Sequence, residues 1–248
     1  PIIEAIERRS TYVSYLLENL DALKRTVDLC AMSPWVASRL NEFPILLYEL
    51  TDRKTSEFSF SRQALESQLN DQLMALDPLD FETQMDTLRV FKNATVLRVA
   101  VCELLDLLPL MKASDALTAI AETLLQKSLD LAWRYLTDRH GQPMTRDGGS
   151  QKRQFAIVAY GKLGGIELAY GSDLDLVFLY EADIHGETNG KRRVNNNVFY
   201  GRLVQRIIHI LTSFTRFGTL YEADMRLRPS GNKGPMATNI AAFERYQE

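Results

Sequence analysis

The spacing of apolar residues changes between residues 137 and 154, and this change limits the folds open to the chain. From residue 1 to about 137, apolar residues recur every three or four positions among strong helix formers, which is typical of packed α-helices. Residues 137–154 then collect Gly, Pro, Asp, Ser and charged residues, as a loop or domain junction does. The sequence predicts an α+β protein, with a helical packing domain over 1–137, a junction over 138–153 and a second domain over 154–248.

The second domain has short apolar runs that predict strands. "FAIVAY" (155–160) and "LDLVFLY" (174–180) have the length and β-forming residues of buried strands, and the glycine-rich "GKLGGIELAYGS" between them predicts a turn with at most a short helix. Further on, an apolar stripe from Val198 to Phe214 predicts one long amphipathic helix that ends at Gly218.

Two aspartates stand at the start of the second strand run. Successive side chains of a strand alternate between faces, so Asp173 and Asp175 point the same way with about 6.6 to 6.8 Å between their Cα atoms. Two carboxylates at that separation repel by roughly 2 to 3 kcal/mol at an effective dielectric near 20, and a divalent cation between them would reverse this cost.

A third carboxylate lies in "TLYEADMRLRPSG" (219–231), whose nearly unbroken alternation predicts a strand ended by Pro229. Its apolar residues fall on one face, and Glu222, Asp224, Arg226 and Arg228 fall on the other. An edge strand with a solvated polar face would give the same pattern. Combined with the aspartate pair, however, it indicates a site for two Mg²⁺ ions and a nucleoside triphosphate, because shared carboxylates hold such ions while glycines and arginines bind phosphates.

Composition excludes several other classes of function. The net charge of −3 gives no general reason to bind nucleic acid or an anionic membrane, and no apolar run approaches a membrane span. His140, His185 and His209 lack the spacing of a zinc site. Cys30 and Cys102 lie far apart among apolar residues, which favours free thiols and a cytoplasmic location. The start lacks Met and the end lacks a helix stop, so we expect a piece of a longer chain, truncated at the C-terminal side of its second domain.

The motif "GKLGGIELAYGSDLDLVFLY" resembles the signature of the polymerase-β-like nucleotidyltransferase superfamily, in which a glycine turn precedes Asp-x-Asp. Within it, this motif, "YEADMRLRPSG" and "LPLMKASDALTAIAETLL" are similar to the glutamine synthetase adenylyltransferase family. The resemblance implies a small mixed sheet and enzymes that add AMP to a tyrosine of glutamine synthetase in one half and remove it by phosphorolysis in the other.

The resemblance also implies roles for individual residues. Asp173, Asp175 and Asp224 match the catalytic metal-binding carboxylates, with Asp224 as a possible acceptor of the tyrosine proton. Gly164 and Gly165 match the turn that holds phosphates, and Ser172 stands where its hydroxyl or N–H reaches the triphosphate. Lys162, Arg226 and Arg228 either contact phosphate or neutralise the carboxylates. The run Lys191–Arg193 is expected to be a solvated loop face, and His209 part of the core or its rim.

We therefore expect AMP transfer from ATP, with Mg²⁺ or Mn²⁺ as cofactor and glutamine synthetase as protein substrate. "AYGSDLDL" and "YEAD" look more like the adenylylating half than the removing half. The PII signalling protein is an implied partner of the full-length enzyme, while no nucleic acid or membrane is implied. The alternatives are the adenylyl-removing half, which uses the same residues with phosphate as the attacking group, and a non-catalytic module that binds nucleotide.

Overall fold

The computed structural model describes residues 10–51, 58–145, 154–183 and 185–247. Before the predicted junction, the described residues are mainly helical, in agreement with the pattern of apolar residues. The helices are α1 (Ser10–Glu18), α2 (Leu20–Met32), α3 (Pro34–Glu42), α4 (Leu47–Thr51), α5 (Arg62–Met74), α6 (Phe81–Leu104) and α7 (Leu110–His140), with a 3₁₀ turn at Pro44–Leu46.

The chain divides into two compact units, residues 1–120 and 121–248. In the first unit, buried leucines of the early helices and of α6 pack together; they include Leu29, Leu40, Leu47 and Leu97. Beside this core the Arg98 guanidinium lies 2.5 Å from the Glu49 carboxylate. Burial of apolar side chains between helices is thus what holds this unit together.

The second unit is built on a small sheet. Its elements are β1 (Phe155–Ala159), the helical turn α8 (Gly161–Gly164), β2 (Leu174–Tyr180), α9 (Asn196–Thr212), β3 (Ala223–Asp224), β4 (Thr238–Asn239) and α10 (Ile240–Gln247). Strand β1 pairs antiparallel with β2, whereas β3 and β4 pair parallel with the start and the end of β2. The fold is therefore α+β with a mixed sheet, as predicted.

Aromatic packing joins the sheet to the helices of this unit. Tyr200 of α9 stacks on Tyr180 of β2 at 4.5 Å between ring centroids, and Trp133 of α7 meets Phe199 edge-on at 5.4 Å. Burial raises the pKa of Tyr200 to about 12. The C-terminal part of α7 belongs to this core, so the division between the compact units falls inside that helix.

Of the predicted junction, residues 138–140 complete α7, and Pro143 forms a β-bridge with Thr188. Residues 146–153 lie outside the described part of the chain. The domain boundaries at 137 and 154 therefore stay a prediction.

The predicted strand over 219–231 is wrong beyond two residues. Strand β3 ends at Asp224, because the Arg226 N–H donates to Asp224 Oδ1 at 2.8 Å and turns the chain. The next turn follows at once, with the Arg228 N–H bonded to the Met225 carbonyl at 3.2 Å. Leu227, predicted on the apolar face, is 55% exposed.

The long amphipathic helix is confirmed, but its predicted end is wrong. Helix α9 stops at Thr212, and Phe214, predicted in the apolar stripe, is 81% exposed. Gly218 has φ +81° and closes a small turn in which its N–H donates to the Thr215 carbonyl at 2.9 Å. The turn, rather than a helix cap, accounts for this glycine.

None of the described helices combines the length and apolar character needed to cross a bilayer. Cys30 is half-buried and Cys102 is buried, and both are free thiols. Burial raises the pKa of each thiol, which lowers its reactivity.

Candidate active site

The parallel pairing of β2 and β3 brings two of the predicted site carboxylates together. Asp175 stands directly opposite Asp224 in the register, and Leu174 stands opposite Ala223. Side chains at one register position of neighbouring strands project from the same face of the sheet. Asp173 is exposed and lies just before β2 begins at Leu174, so its place on the same face stays a prediction.

One guanidinium lies among these carboxylates. Arg226 Nε donates to Asp224 Oδ2 at 2.6 Å, and its NH2 group forms an ion pair with the same oxygen. Its pKa is raised first by the hydrogen bond and charge of Asp224, and further by the charges of Asp175 and Asp173. The hydrogen bond from Arg226 in turn lowers the pKa of the Asp224 carboxyl. Arg226 is thus a cation bound to Asp224, and the charges of Asp175 and Asp173 add to its stabilisation.

Whether the three aspartates could bind a metal ion depends on the present partners of their carboxylate oxygens. Carboxylate oxygens are the donors that Mg²⁺ and Mn²⁺ prefer. In the part of the chain that the structure describes, no three His, Cys, Asp or Glu side chains are arranged to hold a metal ion. Asp224 is instead oriented toward Arg226, so the donor set fits a divalent cation in its chemistry, and Asp224 would have to exchange its guanidinium partner for the metal.

The turn after β1 approaches Asp175. The Tyr160 N–H donates to the Asp175 carbonyl at 2.9 Å, and Gly161 follows with φ +54°. A Cβ at Gly161 would lie 2.2 Å from Asp175 Oδ2, so only glycine allows this approach. Gly161 is a site residue that the sequence analysis missed; its position directly after a predicted strand was the available signal.

The predicted glycine turn lies one helical turn further on. Gly164 ends α8, and a Cβ there would lie 2.5 Å from the Ala159 carbonyl oxygen. Gly165 caps α8 with ordinary helical angles, and its N–H donates to the Gly161 carbonyl at 2.9 Å. The exposed Ile166 that follows has φ +58°, an unusual angle for a β-branched residue. The glycines therefore let this turn fold tightly against β1.

The remaining predicted phosphate ligands lie in three different places. Ser172 stands just before Asp173, and its Oγ accepts the Ala169 N–H at 3.2 Å. Lys162 is exposed on α8. Arg228 is half-buried and donates to the Met225 carbonyl at 2.8 Å. Of the two predicted arginines, only Arg226 bonds to a site carboxylate among the contacts described.

The other polar residues considered in the sequence analysis are exposed to solvent. Lys191, Arg192 and Arg193 are exposed, as predicted for a solvated loop. His209 is exposed on α9, at the rim of the second unit rather than in its core.

Comparison with known proteins gives the family. The model of the glutamate-ammonia ligase adenylyltransferase family matches residues 23–248. The chain is 49% identical over 248 residues to the bifunctional glutamine synthetase adenylyltransferase/adenylyl-removing enzyme of Pseudomonas aeruginosa, covering 100% of this chain and 25% of that protein. It is 46% identical to the enzyme of the same name from Hahella chejuensis, covering 100% of this chain and 26% of the relative. The chain thus spans about a quarter of the length of the curated relatives it matches.

Proposed function

Because the chain belongs to the glutamate-ammonia ligase adenylyltransferase family, we propose that it transfers AMP from ATP to a tyrosine hydroxyl of glutamine synthetase and releases pyrophosphate. The tyrosine oxygen attacks the α-phosphorus in line, the bond from that phosphorus to the pyrophosphate oxygen breaks, and AMP stays on the tyrosine. No covalent enzyme intermediate is needed, so the protein contributes by positioning the reactants and neutralising the charge of the triphosphate.

One observation carries this proposal: Asp175 and Asp224 stand at one register position of the paired strands β2 and β3, with the Arg226 guanidinium bonded to Asp224 beside them. A set of carboxylates around one position is costly unless a cation is held there. A phosphoryl-transfer site uses such a set to hold metal ions. The arrangement supports a site of this type at the start of β2 and β3.

The carboxylates are the residues that would hold Mg²⁺ or Mn²⁺. When bound there, divalent ions supply charge neutralisation for the triphosphate and lower the pKa of the attacking hydroxyl. The low pKa of Asp224 beside Arg226 makes this carboxylate a weak base. Arg226 has to leave this carboxylate before Asp224 can bind a metal ion or accept the tyrosine proton, and the released guanidinium is then available to bind phosphate.

The turn around α8 would hold the triphosphate beside these carboxylates. Gly161 has no Cβ, so the backbone of this turn approaches the Asp175 carboxylate closely. Lys162, Gly164, Gly165 and Ser172 lie on the same stretch between β1 and β2. We assign them to nucleotide binding, with Arg228 supporting the turn after β3.

The relatives' name joins two opposed activities, and we assign this chain to the adenylylating one. "AYGSDLDL" and "YEAD" support this choice by their resemblance to the adenylylating half. We further propose a reducing cytoplasmic location, supported by the two free cysteines, and PII as a partner of the longer protein.

The proposal is tested by assaying the chain for AMP addition and, separately, for AMP removal. The chain is incubated with ATP labelled at the α-phosphate and unmodified glutamine synthetase, and separately with modified glutamine synthetase and inorganic phosphate. We expect label on glutamine synthetase in the first reaction and no ADP in the second. ADP formation without labelling would assign the chain to the removing activity, and binding of Mg²⁺·ATP without either reaction would make it a nucleotide-binding module.

A further inference from the structure

A pocket lined mainly by basic residues lies between α7 and α9 of the second unit. Its volume is about 390 Å³, within the range of small-molecule sites. Helix α7 contributes Tyr135, Leu136, Arg139 and His140, and α9 contributes Arg202, Gln205, Arg206 and His209. None of the lining residues is Asp or Glu, so the three guanidiniums give the pocket a charge of about +3.

Contacts within the protein already orient this lining. His140 is only 5% exposed, and its Nδ1 lies 2.7 Å from the Arg192 carbonyl oxygen. Nδ1 therefore carries the proton and donates, which leaves Nε2 as the acceptor for the Arg202 guanidinium at 3.2 Å. Oriented side chains lose less conformational entropy when a ligand binds.

The Tyr135 ring orients a second guanidinium of the pocket, that of Arg206. The Arg206 guanidinium lies 3.6 Å from the centroid of the Tyr135 ring, a cation–π contact between the two helices. Gln205 and His209 add hydrogen-bonding groups on the same face of α9. The pocket thus offers two oriented guanidiniums, Arg202 and Arg206, together with the exposed Arg139 and polar groups between them.

The charge of the pocket selects the class of ligand. A single carboxylate would neutralise one of the three guanidiniums, whereas one phosphate group brings nearly two negative charges and a diphosphate brings more. Guanidinium groups also match phosphate oxygens with paired N–H donors. A phosphate-bearing anion fits the pocket better than a carboxylic acid.

The pocket shares no residue with the candidate active site. Its lining comes from α7 and α9, whereas the aspartates, Gly161 and Arg226 lie on β2, β3 and the turns beside them. We propose that the pocket is a second anion site, which binds a small phosphate-bearing ligand without a metal ion. This inference does not depend on the activity proposed above.

Calorimetric titration of the chain with sodium pyrophosphate in EDTA tests the inference. The unaltered chain is compared with the Arg139→Gln/Arg202→Gln double variant, whose altered residues are exposed. Arg134→Gln is the matched control, because Arg134 is an exposed arginine of α7 about 140° around the helix from Arg139 and outside the pocket. Asp175→Asn reports on binding at the carboxylate site instead.

We expect pyrophosphate binding that is weakened at least tenfold in the double variant and changed less than twofold in Arg134→Gln and Asp175→Asn. Separate titrations with inorganic phosphate and with ATP then show whether the pocket prefers the free anion or a nucleotide. The inference is overturned if pyrophosphate does not bind, if ATP binds and pyrophosphate does not, or if Arg134→Gln weakens binding as much as the double variant. If the double variant loses its folded circular dichroism spectrum, the same criteria apply to Arg139→Gln alone.

Discussion

Gly161 shows how a single backbone position supports the candidate site. It combines a left-handed φ of +54° with a backbone that touches the Asp175 carboxylate. Replacing it with Ala would add a Cβ 2.2 Å from Asp175 Oδ2. Because the Asp175 carboxylate would have to move away from the added Cβ, we expect Gly161→Ala to lower the rate of AMP transfer at least a hundredfold, and because φ is +54° we expect a lower urea midpoint as well.

Gly171→Ala is the matched control for this change. Gly171 also has a left-handed φ, +73°, but a Cβ there would meet nothing within 4 Å. Both variants carry the left-handed cost of about 1 to 2 kcal/mol, and only Gly161→Ala disturbs the carboxylate. Equal transfer rates in the two variants would show that the contact with Asp175 has no role in the reaction.

The Arg226–Asp224 pair predicts a low carboxyl pKa. Arg226 holds the pKa of Asp224 below its usual value, so the folded chain binds a proton there less readily than the unfolded chain. The stabilisation is present above about pH 4 and is lost as the pH falls through the folded value. We expect NMR titration of the Asp224 carboxyl carbon to give a higher pKa in Arg226→Gln that still lies below the ordinary value, because the backbone N–H of residue 226 continues to donate to Asp224 Oδ1.

Arg228→Gln supplies the control for that titration. Arg228 donates to the Met225 carbonyl, so its removal should leave the pKa of Asp224 where it was. An Asp224 pKa that is the same in the unaltered chain and in Arg226→Gln would show that the Arg226 side chain does not lower it.

At the scale of elements, β2 is the strand on which the second unit depends, because β1, β3 and β4 all pair with it. Phe178 is fully buried in β2, whereas Phe214, after the end of α9, is 81% exposed. We expect Phe178→Ala to lower the free energy of unfolding by about 3 to 5 kcal/mol. Phe214→Ala should change it by less than about 0.5 kcal/mol.

Urea unfolding followed by circular dichroism measures both variants. A large loss in Phe214→Ala would mean that α9 continues past Thr212, as the sequence predicted, and that the side chain is buried.

The elements differ in how far the sequence determines them. Strands β1 and β2 could be predicted because each is a compact apolar run bounded by polar or glycine residues. That the period of a strand puts Asp173 and Asp175 on one face stays a prediction, because β2 begins at Leu174. Strand β3 could not be limited to Ala223–Asp224, because the alternation continues to Leu227 while a side-chain hydrogen bond at Asp224 turns the chain. Gly161 was marked only by its position directly after a predicted strand, and the sequence does not show which of Gly161, Gly164 and Gly165 approaches a carboxylate.

At the scale of the whole chain, the domain boundary is open to test by limited proteolysis. The composition of residues 137–154 predicts the first cleavage in that stretch. Since residues 138–140 complete α7, we expect the cut to fall after residue 140. Earlier cleavage inside α6, with residues 141–154 intact, would contradict the boundary.

The central claim is that three carboxylates of the second unit support transfer of the α-phosphoryl group of ATP. The most direct measurement compares ATP labelled at the α-phosphate with ATP labelled at the γ-phosphate, using glutamine synthetase as acceptor. We expect only the α-label to appear on glutamine synthetase, and Asp224→Ala to lose most of this rate while it binds ATP within about tenfold of the unaltered chain. Transfer of the γ-label, or undiminished transfer by Asp224→Ala, would contradict the claim.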